Sequence, residues 1–237
     1  MNRRPNAGFS LLELVIAMVL LLVISAVIFQ VINMSTERSA TEQVKLDMFQ
    51  EAREFMDQMT RELRLAGYPN RRNFALNVLI NPLINDSRAA VGLVKVDSGE
   101  LWFEGDVDGT GTVSVVHYYL DTSTTNNCPC LKRSSLPKIN GHPLTGQTTP
   151  SYQLEVQGVT NTNIFTAYSE ATSLSLPLDI ASNASSIASI DTVMATLSLQ
   201  ASTIDPKTKT KPVTTLVTTV KINNCSPVAP LQETSCN

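Results

Sequence analysis

Hydrophobic and polar positions along this chain fall into three regimes. From Leu14 to Thr36 there is no Asp, Glu, Lys or Arg, and most of these residues are aliphatic. As a helix rising about 1.5 Å per residue, the run is long enough for a bilayer core of about 30 Å. Past it, Val44, Met48, Ala52, Phe55, Met59, Leu63 and Ala66 recur at steps of three and four, with Phe49 and Met56 widening the stripe. That is the period of an amphipathic helix. Between them Glu42, Lys45, Asp47, Glu51, Arg53, Glu54, Asp57, Arg61 and Glu62 read as the solvated face. No Gly or Pro interrupts 9–66, so one continuous helix is predicted there, closed by Gly67-Tyr68-Pro69. Its Met and Phe stripe is expected to pack on the sheet that follows.

From Val91 onward the period drops to two. Strands are predicted over 93–96, 101–104, 113–120, 152–157, 164–168, 193–201 and 213–222. The sixth is the cleanest, with Val193, Ala195, Leu197, Leu199 and Ala201 alternating against Met194, Thr196, Ser198 and Gln200. Ile204 to Pro212 reads as the loop of a terminal hairpin, its tip kept in solvent by Asp205-Pro206 and three lysines. Residues 121–150 and 170–192, rich in Ser, Thr, Asn, Pro and Gly, read as long surface loops. The fold class expected is α+β: a long N-terminal hydrophobic helix packed on a C-terminal antiparallel β-sheet domain.

Charge placement adds a direction. Ahead of the apolar run stand only eight residues, with Arg3 and Arg4 as their charges. The positive-inside bias then keeps the N-terminus in the cytoplasm and exports the rest. No small-residue exit follows the run, so cleavage behind it is disfavoured. Glu13 is the anomaly. A carboxylate in the bilayer costs a few kcal/mol at its centre and less near the interface, so it needs compensation.

Gly8-Phe9-Ser10-Leu11-Leu12-Glu13, behind a short basic leader and heading an apolar helix, resembles the N-terminal motif of the type IV prepilins and the pseudopilins of secretion systems. In that family a membrane peptidase cuts after the Gly and methylates the new N-terminal Phe. The resemblance implies cleavage between Gly8 and Phe9, N-methylation of Phe9, and an assembly role for Glu13, paired with the Phe9 amine of a neighbouring subunit. Ala7 departs from the Lys or Arg that many members carry there. Boundaries follow: 1–8 leader, 9–36 membrane and filament-core helix, 37–66 its amphipathic continuation, 67–237 an exported β-rich domain.

Arg61 to Pro69, the acidic turn Gly105 to Gly109, and Val115 to Asp121 with Leu131-Lys132-Arg133 as a central hairpin resemble the large minor pilins of the PilW type. The function implied is that of a minor type IV pilin in pilus assembly or initiation. A J-type pseudopilin of a type II secretion system and a pilus-tip adhesin are the alternatives. Implied partners are the prepilin peptidase, other major and minor pilins, the inner-membrane assembly platform and membrane lipid.

Composition narrows the rest. The formal charge of −3 becomes −5 once Arg3 and Arg4 are removed, and there is no basic aromatic groove, so nucleic acid is not an expected partner. The two histidines, His117 and His142, sit in no motif with a nucleophile or paired carboxylates, and an enzyme is not expected. No cofactor is expected either, with one reservation. Asp106, Asp108 and Thr110 space oxygen donors as the opening of a calcium loop does, with Gly111 at the sharp turn, but His117 stands where the closing Glu belongs. Cys128, Cys130, Cys225 and Cys236 all lie in the exported part, where disulfides are favoured over zinc ligation. A Cys128–Cys130 bond across Pro129 reads as strained, so crosslinks from this turn to the C-terminal tail are expected. The alternative is a local Cys225–Cys236 loop, resembling that of major pilins.

Overall fold

The computed structural model describes residues 10–69, 73–75, 79–80, 82–123, 128–205 and 208–222, and the backbone of 226–228 and 233–235. Helix α1 (Leu11–Arg64) runs for 54 residues. It begins later than the spacing predicts because Ser10 is extended, at φ −72° and ψ 140°, and serves as N-cap. At the other end the Leu65 N–H donates to the carbonyls of Glu62 and Leu63, and Gly67, at φ 83°, turns the chain away.

Then come β1 (Leu93–Asp97), β2 (Glu100–Gly105), β3 (Ser114–Asp121), β4 (Cys130–Pro137), β5 (Gln153–Gln157), β6 (Phe165–Ser169), β7 (Thr172–Ser173) and β8 (Leu178–Asp179). The short α2 (Ala184–Ala188) precedes β9 (Thr192–Gln200), β10 (Val213–Lys221), β11 (Ser226–Val228) and β12 (Glu233–Ser235). One sheet has the order β5-β4-β3-β2-β1-β8 and a second β10-β9-β6-β7, while β11 and β12 pair with each other. Every strand pairing among the described residues is antiparallel. The expected α+β architecture is therefore present.

The amphipathic half of α1 lies against β5 of the larger sheet and against β9 and β10 of the second. Ala52, Phe55, Met56, Met59, Leu63 and Ala66 are buried there with Leu101, Phe103, Val116, Tyr118, Leu131, Leu197 and Leu199. Phe55 meets Tyr118 edge to face at 5.5 Å. The end of the helix is stitched to β2. Gly67 N–H donates to the Glu104 carbonyl at 2.8 Å and Asp106 N–H to that of Tyr68 at 2.7 Å. Gly105 allows this approach, because a Cβ there would stand 2.4 Å from the Leu65 carbonyl oxygen.

Three expectations are corrected. Residues 121–150 are not one loop, since they contain β4, whose eight residues run between β3 and β5 in the larger sheet. Its sequence hides it: Leu131 supplies apolar burial, but Arg133 and Ser134 break the alternation. Residues 170–192 likewise hold β7, β8 and α2. Glu62 is not on the solvated face. It is buried between α1 and the larger sheet, where Tyr118 donates to it at 2.6 Å and Arg133 Nη2 lies at 2.8 Å.

A second buried charge pair fixes the irregular chain ahead of β1. Lys138 Nζ, wholly buried, donates to Glu104 at 2.7 Å, to the Ile84 carbonyl at 3.0 Å and to that of Ala89 at 2.8 Å. The same Glu104 oxygen accepts from Val91 N–H at 3.0 Å. All three ammonium protons have acceptors, while the second Glu104 oxygen is buried without a donor, so the pair is only partly satisfied. Burial nonetheless raises the Glu104 carboxyl above its ordinary pKa, opposed by the Lys138 charge.

Candidate assembly site

The first turn of α1 is built by Ser10-x-x-Glu13, the spacing of a capping box. Ser10 Oγ accepts from Leu12 N–H at 3.3 Å, and Glu13 Oε2 accepts from Ser10 N–H at 3.1 Å. A lone subunit thus gives its awkward carboxylate a partner from its own backbone, at the helix end whose dipole favours negative charge. Among the described residues the second oxygen, Oε1, takes no donor and remains available to a cation. Gly8 and Phe9 lie outside the described residues.

Behind Glu13 the helix has no packing partner over its apolar length among the described residues. Large hydrophobic side chains from Leu11 to Met34 are exposed all round, and the segment is long and apolar enough to cross a membrane. An all-round apolar helix standing clear of its own domain is suited to lipid and, after extraction, to other helices of the same kind.

The joint between this rod and the sheets is electrostatic as well as apolar. Glu62 accepts from Tyr118, from Arg133 Nε at 3.0 Å and from Gln58 at 2.9 Å. Burial, followed by the Glu62 carboxylate, raises the Tyr118 phenol well above its usual range. For Arg133 burial acts downward, but its hydrogen bond and attraction to Glu62 leave the guanidinium raised. The sequence reading missed this triad because partners 71 positions apart share no local signal. Ser10 was missed as well, although its three-residue spacing to Glu13 is a local signal that could have found the cap.

The remaining candidates separate. Cys128 and Cys130 are bonded to each other, with Cα atoms 4.5 Å apart, a distance a disulfide spans. This overturns the expected crosslinks from the turn to the tail: the turn itself brings both sulfurs together. Asp121 lies with them, yet sulfurs joined in a disulfide offer no thiolate to zinc. Cys225 and Cys236 lie outside the described residues.

In the acidic turn Asp108 accepts from the Thr110 amide at 3.1 Å and its hydroxyl at 2.8 Å, contacts that hold its carboxyl below the usual range. Asp106 Oδ2 accepts from Gly111 N–H at 2.9 Å, while its buried Oδ1 has no donor. These oxygens can hold a cation from one side. The closing position is elsewhere: His117 is buried in β3, stacked on Trp102 at 4.8 Å. Its Nε2 meets Glu100 at 2.5 Å, and its Nδ1 meets the Tyr152 hydroxyl at 2.7 Å. His142 sits in a turn, its Nδ1 accepting from Leu144 N–H at 3.3 Å.

Among known families, residues 3–29 match the prokaryotic N-terminal methylation motif, which supports a protein of the type IV prepilin and pseudopilin family. No curated protein and no solved structure matches the chain.

Proposed function

We propose that this pilin-like protein is a minor type IV pilin, cut between Gly8 and Phe9, methylated on Phe9, and inserted at the start of a filament. The observation that carries the reading is the Glu13 carboxylate at the head of an exposed apolar helix, held among the described residues by its own Ser10 N–H alone. Cleavage creates an amine on Phe9. When helices leave lipid and bundle, Glu13 of one subunit exchanges its backbone donor for the amine of its neighbour. Two groups that are costly alone in an apolar bundle then neutralise each other, and sliding the helices separates them, which gives assembly a register. The exported domain, from residue 67 onward, is broad for a repeating shaft and better suited to a tip.

Mass spectrometry of the mature N-terminus tests the processing step, with N-methylated Phe9 expected. A chain still beginning at Met1, or starting beyond Thr36, overturns it. Immunogold labelling tests the position, and label along the whole shaft counts against a tip subunit. Because the methylation motif also heads pseudopilins, co-purification of a type II secretion platform instead of pilus proteins would reassign the chain to the J-type reading.

A further inference from the structure

The turn between β2 and β3, residues 106–113, holds negative charge that the fold does not balance. Asp106 is buried, with 6% of its surface exposed. Its Oδ2 accepts from Gly111 N–H at 2.9 Å, but Oδ1 is enclosed without a donor. A buried acceptor in that state is destabilising. Asp108 stands against it, the two carboxyl groups being close enough to share a hydrogen bond when one holds a proton. Asp108 itself is exposed and is held in place by the Thr110 amide and hydroxyl. Carboxylates in contact repel unless a proton or a cation lies between them, and near neutral pH the cation is in better supply. Among the described residues neither carboxylate enters an ion pair. Lys138 donates its backbone N–H to the Val113 carbonyl at the end of the turn, but its ammonium is spent on Glu104, Ile84 and Ala89.

The donor set selects the ion. Asp106, Asp108 and Thr110 put side-chain oxygens at the first, third and fifth places of a calcium loop, and Gly111, at φ 83°, makes the turn at the sixth. The Thr112 carbonyl and the Ser114 hydroxyl fall at the seventh and ninth. All of these are hard oxygen donors, with no nitrogen or sulfur among them. The twelfth place is His117, engaged with Glu100 and Tyr152, so water completes the shell. An exposed turn with waters on its open side suits calcium, which takes about six to eight oxygens in loose geometry, better than magnesium, which demands a regular octahedron.

We propose that the β2–β3 turn is a calcium site with Asp106, Asp108 and Thr110 as its side-chain ligands. The ion braces the turn against the end of α1, since Asp106 N–H donates to the Tyr68 carbonyl and Gly67 N–H to that of Glu104. A cation there also meets the negative end of the helix dipole. Without a closing glutamate the site is expected to bind with a Kd of about 10⁻⁴–10⁻³ M, the range of extracellular modules. It is separate from the proposed filament role, because it uses no residue of the anchor.

Titration calorimetry and thermal melting of the detergent-solubilised full chain, stripped with a chelator, test this with calcium chloride as the probe. Saturable binding in that range is expected, with a melting temperature raised by several degrees in about 10 mM calcium. The variant Asp108→Asn keeps an acceptor for Thr110 and removes one of the two charges. In chelator it is expected to melt no lower than the parent, because the repulsion is relieved, and in calcium it is expected to show no rise. No binding up to about 10 mM calcium overturns the proposal, as does an equal rise with magnesium or a calcium rise that survives in Asp108→Asn. A variant destabilised by the same amount with calcium and with chelator would show a purely structural turn and overturn it too. Failure of the filament reading would leave all of these measurements unchanged.

Discussion

At residue scale the decisive groups are three carboxylates in three environments. Glu13 sits in a capping box that suits a lone subunit, and its proposed filament partner is supplied only by another copy. Glu13→Val is therefore expected to be exported and processed but absent from sheared pili on immunoblots; normal incorporation would remove the pairing role. Glu62 is buried with Arg133 and Tyr118. Glu62→Leu leaves a guanidinium and a phenol without their acceptor, a loss of about 3 kcal/mol, while Glu62→Gln keeps an acceptor and loses less. Urea midpoints of the detergent-solubilised chain check the order. Asp86 is buried with Arg88 Nη2 at 2.8 Å and accepts from Ile80 N–H at 2.7 Å. The Arg88 hydrogen bond, opposed by burial, holds its carboxyl well below the usual range. A depressed carboxyl stabilises the fold above its unfolded value of about 4, and that contribution is lost as pH falls through the folded value. Asp86→Asn should thus be less stable than the parent at neutral pH, with the gap closing in strong acid. A gap that does not change with pH would refute this.

At the scale of elements, legibility followed periodicity. The strand at 193–201 is found at Thr192–Gln200 with Val193, Ala195, Leu197 and Leu199 all buried, as its alternation requires. Periodicity did not show β4, which was legible only as part of the hairpin the resemblance implied, because its inward Arg133 looks like a surface residue until Glu62 arrives from α1. The cysteines show the same limit. With Cys128 and Cys130 joined, the remaining pairing is Cys225 with Cys236, whose chain neighbours Ser226 and Ser235 stand opposite each other in the β11–β12 ladder. Non-reducing peptide mapping is expected to return 128–130 and 225–236 as the linked pairs, and a peptide joining the turn to the tail would contradict the structure. The amphipathic half of α1 is an element of the core as much as a stalk. A fragment starting at Glu37 should fold, with dispersed amide resonances. One starting at Gly67 lacks Ala52, Phe55, Met56, Met59, Leu63 and Ala66. Each larger side chain among these contributes about 1.5–3 kcal/mol of burial, and together they rival a whole domain's margin of about 5–15 kcal/mol. That fragment is expected to show no cooperative melt.

At the scale of the molecule, an exposed apolar rod leaves one end of a two-sheet domain, and the two halves of one helix serve different solvents. The sequence alone determined that division. An uncharged aliphatic run and a stripe of period 3.6 are local patterns, each read within a few turns. The α+β class followed from the change of period after Val91. Only the tertiary structure decided which polar residues are inside. Glu62, Glu104 and Lys138 are ordinary surface types until their partners, 71 and 34 positions away, close around them. The physical reason is common to these cases: a charge's cost depends on the dielectric and donors around it, and those are brought together by long-range packing that no local window of sequence contains.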